Sequence, residues 1–390
     1  MMDYEKLLTD TAKNLKPSGI RKFFDVAEKL PDAIALGVGE PDFKTPWHIR
    51  QAAIDALSKG QTRYSSNAGL MPLREEIARY MERRFTLKYD PASEVIVTVG
   101  GSEAIDNIIR SVISVGDEVL IPEPSFVCYA PLTELAGGTP VILPTYEKDG
   151  FKLMPEIVKN AITEKTKLLI MPYPNNPTGA LMEKEDYEKI AAVLKDTNIL
   201  VLSDEIYIEL NYSKSKPFSF AQTEGMFDRT IVVNGFSKTY AMTGWRIGFA
   251  CGPKPIMKAA LKIHQYGIMC APTVSQYAAI EALKNGDDDI EHMRENYNMR
   301  RRFLLDAFES MSVPCFEPKG AFYVFPNISA FAENSEAFCN DFLEKAHVAV
   351  VPGNAFGDSG EGFIRISYAY SLDHLKKAVD RFEKYIKKQS

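Results

Sequence analysis

Lys238 stands directly after an apolar run, TIVVN (230–234), within Gly235-Phe236-Ser237-Lys238, and Arg246 follows eight positions on in MTGWRIG (242–248). A lone lysine at a strand end is usually a solvated surface residue. An amine close to an arginine fork reads differently, because a guanidinium suits a phosphate dianion and the flanking glycines let backbone approach closely. Gly100-Gly101-Ser102-Glu103-Ala104 joins a strand pattern to a helical one, and the free N–H groups of a helix start make an anion site. A glycine turn that merely begins a helix has the same sequence. In YPNNPTG (173–179), Pro174 and Pro177 exclude regular strand or helix, so the asparagines sit on a stiff turn. The plain reading there is a turn whose asparagines cap their own backbone. Ser203-Asp204-Glu205-Ile206-Tyr207 ends another apolar run. An aspartate so placed is ordinarily a helix cap; in a site it would pair with a ring nitrogen and keep it protonated.

All four stretches fall at the ends of predicted strands. EVIVTV (94–99), EVLIP (118–122), PVILP (140–144), KLLIMP (167–172), NILVLSD (198–204), TIVVN and IGFAC (247–251) read as buried strands, interleaved with helical patterns such as 183–195. This alternation predicts an α/β fold with a mainly parallel sheet and helices on both faces. Open sheets of that kind bind ligands outside the carboxyl ends of their strands. The last third differs: a charged helical pattern (290–311), AFYVF (321–325), a helix (335–346), HVAVV (347–351), GFIRISY (362–368) and a terminal helix (372–388) predict a smaller α+β unit. The expected division is a large domain over 46–285, a small C-terminal domain over 286–390, and a segment 1–45 that packs with the small domain.

Composition narrows the function. The 390 residues carry a net charge of -6, which offers no basic surplus for a nucleic-acid partner. The five cysteines are scattered without metal or redox spacing and read as reduced thiols of a cytoplasmic protein. The five histidines are equally dispersed, so no metal is expected. The start MMDYEKLLTD lacks the apolar core of a signal peptide, and no apolar run approaches the length of a membrane span.

Taken together and in this order, the motifs resemble the class I/II aminotransferases of pyridoxal-phosphate (PLP) fold type I, especially the aspartate/aromatic group. SKTYAMTGWRIG (237–248), YPNNPTG and SDEIY carry the resemblance, and GEPDF (39–43), RYSSNAGL (63–70), VPGNAFG (351–357) and RISYA (365–369) extend it over nearly the whole chain. It implies a seven-stranded-type central sheet and PLP as cofactor. It also implies ping-pong transfer of an α-amino group from an amino acid, aromatic or aspartate-like, to a 2-oxo acid such as 2-oxoglutarate. By the resemblance Lys238 is the lysine that carries the cofactor and moves the Cα proton. Asp204 pairs with the pyridine nitrogen, and Tyr207 and Asn176 bond the cofactor's phenolic oxygen. Gly101, Ser102 and Glu103 offer backbone or hydroxyl donors to the phosphate, joined by Ser237 and Arg246, and Phe126 stacks on the ring. Arg365 clamps the substrate carboxylate, with Asn176 and the Gly39 backbone alongside. Tyr64 is expected to reach the phosphate of a partner subunit, which implies a homodimer with shared sites.

Dicarboxylate-specific members of the group tend to carry a lysine where Ser102 stands, and the segment 263–275 holds no Arg or Lys. Tyr129, His264 and Tyr266 are therefore expected to favour a large neutral or aromatic side chain, with Arg21 or Lys22 as a further source of charge. Two rival readings share these motifs. A PLP-dependent C–S β-lyase uses the same fold, since reaction type depends on which Cα bond is held perpendicular to the ring. A non-catalytic effector-binding domain is disfavoured by the intact set of Asp204, Tyr207, Lys238, Arg246 and Arg365.

Overall fold

The apolar runs in the middle of the chain form one seven-stranded sheet. In the computed structural model, which describes residues 2–17, 19, 30 and 32–388, β1 is Ile34–Ala35. The sheet comprises β2 (Val95–Thr98), β3 (Glu118–Glu123), β4 (Thr139–Pro144), β5 (Thr166–Met171), β6 (Leu200–Asp204), β7 (Thr230–Gly235) and β8 (Gly248–Cys251), in the order β2-β8-β7-β6-β5-β3-β4. β3 to β7 pair in parallel, and β8 alone runs against its neighbours. Side chains alternate between faces with period two. Ile96, Ile231 and Val233 meet the helices Gly101–Val112 and Lys254–Gly267, whereas Val95, Val97 and Val232 meet Met71–Phe85 and Thr273–Asn285. Both faces are covered, which is why these strands read as continuous apolar runs.

Register brings the motifs together. Thr98 and Gly235 both lie opposite Gly248, one on each side of it. Because β8 is antiparallel, its start shares a sheet edge with the carboxyl ends of β2 and β7. The turn after β2, Lys238 after β7 and Arg246 before β8 therefore converge. Only glycine fits at 248: a Cβ there would stand 2.7 Å from the Gly100 carbonyl carbon.

The C-terminal part has its own small sheets. β9 (Tyr323–Val324), β11 (Val351–Pro352) and β12 (Ile364–Ser367) form an antiparallel sheet in the order β11-β12-β9. β10 (Val348–Ala349) pairs in parallel with β1, and the Leu36 N–H donates to the Ala349 carbonyl at 2.8 Å. The single strand expected over 347–351 is thus two strands that serve different sheets. The expected strand 321–325 shortens to Tyr323–Val324, its flanking residues being packed rather than paired. The long helix spans Asp287–Ser310 and starts earlier than its apolar pattern, because Asp287, Asp288 and Asp289 favour the positive end of the helix dipole. Tyr207, Leu210 and Ala241 share one core with Phe322, Tyr323 and Ile364, so the large sheet and the C-terminal part are packed together. Among the described residues no helix is long and apolar enough to cross a membrane.

Candidate active site

A cavity of ≈ 520 Å³ opens at the carboxyl edge of the central sheet. Its wall contains Gly39, Gly101, Ser102, Phe126, Tyr129, Asn176, Asp204, Tyr207, Ser237, Lys238, Arg246 and Arg365, whereas Glu103, Tyr64, His264 and Tyr266, also expected from the sequence, are not in it.

One end of the cavity is built for an anion. Gly101 and Ser102 are the first two residues of the Gly101–Val112 helix, whose leading N–H groups have no partner within the helix. Gly100, at φ +77°, turns the chain into that helix, and a Cβ on it would stand 2.9 Å from Arg246 Nη2. Arg246 itself takes the left-handed conformation, at φ 50°. Its Nη1 donates to the Thr243 carbonyl at 3.1 Å, and no carboxylate pairs with it among the described residues. Strain at a non-glycine residue together with an unpaired guanidinium marks a position held for a ligand.

The middle holds an amine, a carboxylate and a phenol. The Lys238 ammonium donates to the Gly39 carbonyl. Burial brings its pKa down to about 8, with Glu40 opposing and the charges of Arg365 and Arg246 assisting. Asp204 is 7% exposed, and both of its hydrogen bonds come from neutral donors: the Tyr129 hydroxyl at 2.7 Å and the Ile206 N–H at 3.2 Å. Burial raises its pKa, which a cation facing it from the cavity would reverse. Tyr207 is buried, and its hydroxyl lies 2.8 Å from that of Tyr323. Burial pushes this phenol well up, so it stays neutral and keeps its proton to donate.

The far end holds Arg365, 2% exposed and, among the described residues, without a carboxylate partner. Its Nη1 donates to Asn176 Oδ1 at 2.8 Å, its Nη2 donates to the Gly37 carbonyl, and its Nε has no partner. The rings of Tyr323 and Phe356 flank the guanidinium with centroids 4.5 and 4.6 Å away. A buried arginine is costly unless an anion arrives to meet it.

Several expectations need correction. The Glu103 side chain turns away from the cavity: it accepts from the Val99 N–H and from Asn107 Nδ2 at 2.8 Å, and it lies 2.6 Å from His264 Nδ1. Those contacts hold the turn before the helix, so what Glu103 offers a phosphate is its backbone N–H at the third helical position and not its side chain. His264 is fully buried behind that helix and cannot line a substrate pocket. Tyr129 lines the cavity, with its hydroxyl committed to Asp204, and Tyr266 is 87% exposed outside the cavity. Of these three residues only Tyr129 is in the cavity wall. Tyr64, 81% exposed, does not reach the cavity of its own chain. Arg21 and Lys22 lie outside the described residues. The sequence reading missed Tyr323; its only signal was a phenol inside the apolar run AFYVF, which reads as core.

Helix-start donors and a guanidinium at one end, an amine beside a buried carboxylate and a phenol in the middle, and an unmet guanidinium at the other end fit PLP together with an amino acid. Comparison with known proteins agrees. The aminotransferase class I and II family matches residues 31–382. The aspartate aminotransferase of Pyrococcus abyssi is 44% identical over 98% of this chain and 99% of its own length. The aromatic-amino-acid aminotransferase 2 of Thermococcus litoralis is 43% identical over 98% and 99%. The structure of Thermus thermophilus aspartate aminotransferase with maleate superposes with a TM-score of 0.93 at 39% identity, covering 97% of this chain and 99% of that one. These relatives are all transaminases, and none favours the β-lyase reading. The chain belongs to the class I and II aminotransferases and is a PLP-dependent enzyme of fold type I.

Proposed function

We propose that this one cavity holds both PLP and the substrate, and that its preferred amino donor carries a large neutral or aromatic side chain. The observation that carries the reading is Arg365, a buried guanidinium with an unpartnered Nε in the same wall as Lys238 and Asp204. Gly101, Ser102, Ser237 and Arg246 would hold the phosphate, Phe126 would cover the ring, and Asn176 and Tyr207 would bond its phenolic oxygen. When bound, PLP supplies an electron sink for the Cα electron pair and a carrier for the amino group between half-reactions. The chain's own residues do the rest. Arg365 binds the α-carboxylate and so orients the Cα–H bond. Asp204 keeps the ring nitrogen protonated, and the Lys238 amine moves the proton at Cα.

The named relatives do not choose the side chain, since those acting on aspartate and on aromatic amino acids are about equally similar to this chain. The charge of the cavity supports a neutral one. Among the described residues its cations are Lys238, Arg246 and Arg365, each already committed, while Val38, Ile105, Phe126, Pro174 and Ile206 supply apolar wall and Glu40 adds a negative charge. A buried second carboxylate left without a cation costs several kcal/mol, on the order of 3–5. With 2-oxoglutarate as acceptor, kcat/KM is expected to be higher for phenylalanine and tyrosine than for aspartate. A panel of these donors with glutamate measures it, and a clear advantage for aspartate would overturn the preference.

The active unit is a cytoplasmic homodimer in which Tyr64 reaches the partner's site. The exposure of Tyr64 and its separation from its own cavity support this. The chain divides at about residues 45 and 285, and the pairing of β1 with β10 supports placing 1–45 with the C-terminal domain. Mixing chains mutated at both Lys238 and Arg365 with chains mutated at Tyr64 gives heterodimers in which one site has every wild-type group and the other every lesion. Dissociating and co-refolding the two impaired proteins is expected to restore activity. Mixtures no more active than the separate mutants would place Tyr64 within its own subunit.

A further inference from the structure

The roles proposed above leave Tyr323 of the cavity wall unused. Tyr323 sits on β9, 1% exposed, beside Ser367 of β12 and so near Arg365 on the same strand. Its hydroxyl is 2.8 Å from the Tyr207 hydroxyl, and its ring lies under the Arg365 guanidinium with the centroid 4.5 Å away. The Gly39 backbone runs so close that a Cβ there would stand 2.3 Å from the Tyr323 hydroxyl. We infer that Tyr323 is a positioning residue which, through its hydroxyl, strengthens Tyr207 as a donor to the cofactor and, through its ring, holds Arg365 in place for the substrate carboxylate.

A phenol has one proton and can accept as well as donate. If Tyr207 spends its proton on the cofactor's phenolic oxygen, only Tyr323 can be the donor in the Tyr207–Tyr323 bond. The result is a directed chain, from Tyr323 to Tyr207 to the cofactor oxygen, in which each bond polarises the next. The ring acts separately. A guanidinium held between two aromatic faces keeps its plane without a countercharge, which leaves its donors free for an incoming anion. Tyr323 thus joins two functions, at the cofactor and at the substrate, that sequence motifs place in different parts of the chain.

The inference rests on the roles proposed for Tyr207 and Arg365, and the experiment separates the two levels. The readouts are the pH midpoint of the holoenzyme's visible absorption and the Kd of 3-phenylpropanoate, a carboxylate that cannot react. Tyr323→Phe removes one oxygen and keeps the ring. Its midpoint is expected to rise by roughly half a pH unit, because a weaker Tyr207 donor stabilises the phenolate less and the nitrogen joined to Lys238 keeps its proton to higher pH. The rise is smaller than that in Tyr207→Phe, while the Kd changes less than about twofold. Tyr323→Leu is expected to show the same rise and a Kd weakened roughly tenfold. A wild-type midpoint in Tyr323→Phe, with a shifted one in Tyr207→Phe, overturns the relay. A wild-type midpoint in Tyr207→Phe overturns the role of Tyr207 as well. A wild-type Kd in Tyr323→Leu removes the ring from the positioning of Arg365.

Discussion

Lys238→Ala is expected to abolish transamination, by roughly 10⁴-fold or more, while leaving the fold intact. The amine sits in the cavity wall rather than in the packed core, and its burial lowers its pKa to about 8. Truncation therefore removes a desolvated cation and no packing contact that the fold depends on. The same shift sets a pH dependence. Below about 8 the amine is an ammonium and cannot attack a carbonyl; above it the free amine prevails, whereas an ordinary lysine would need a pH above 10. Attachment of PLP to the apoprotein should accordingly accelerate through pH 8 and level off above it. Borohydride reduction of the holoenzyme should leave the pyridoxyl label on Lys238. Peptide mapping that finds it on another lysine would overturn the assignment, as would a Lys238→Ala enzyme that still turns over.

Asp204 carries the second large effect. Asp204→Asn keeps the shape of the side chain and removes only its charge, whereas Asp204→Ala also strips the Tyr129 hydroxyl of its partner. Both variants are expected to lose roughly 10²–10³-fold or more in kcat, since the charge opposite the ring nitrogen matters most as electrons move into the ring. Only the alanine variant should also lose stability, by about 1–3 kcal/mol for the stranded buried hydroxyl. Thermal unfolding measured beside steady-state rates separates the two terms. Full turnover in Asp204→Asn would show that the carboxylate merely caps the turn at Ile206.

The residues behind these two effects were legible in the sequence, but the partners around them were not. Lys238 and Asp204 each end an apolar strand, and each stands in a motif whose neighbours have the right chemistry within a few residues. Tyr129 was expected to favour a large side chain, and it does line the cavity, but its hydroxyl is bonded to Asp204, 75 residues away in sequence. Glu103 was expected to offer its backbone at a helix start, but the partners of its side chain, the Val99 N–H and buried His264, 161 residues on, were not legible.

The sequence by itself determined the strands, the edge at which they end and the identities of the residues gathered there. Period-two burial and the chemistry of short motifs are local properties, and parallel strands with covered faces leave one edge for a site. Only the tertiary structure decided which side chains face the cavity and which support it from behind. Tyr323 shows why. Nothing in AFYVF distinguishes a buried phenol in the core from one 2.8 Å from Tyr207, because that distance depends on β9 pairing with β12 and on the C-terminal sheet packing against the large one. Periodicity records that a side chain leaves water, whereas its partner is chosen by long-range register.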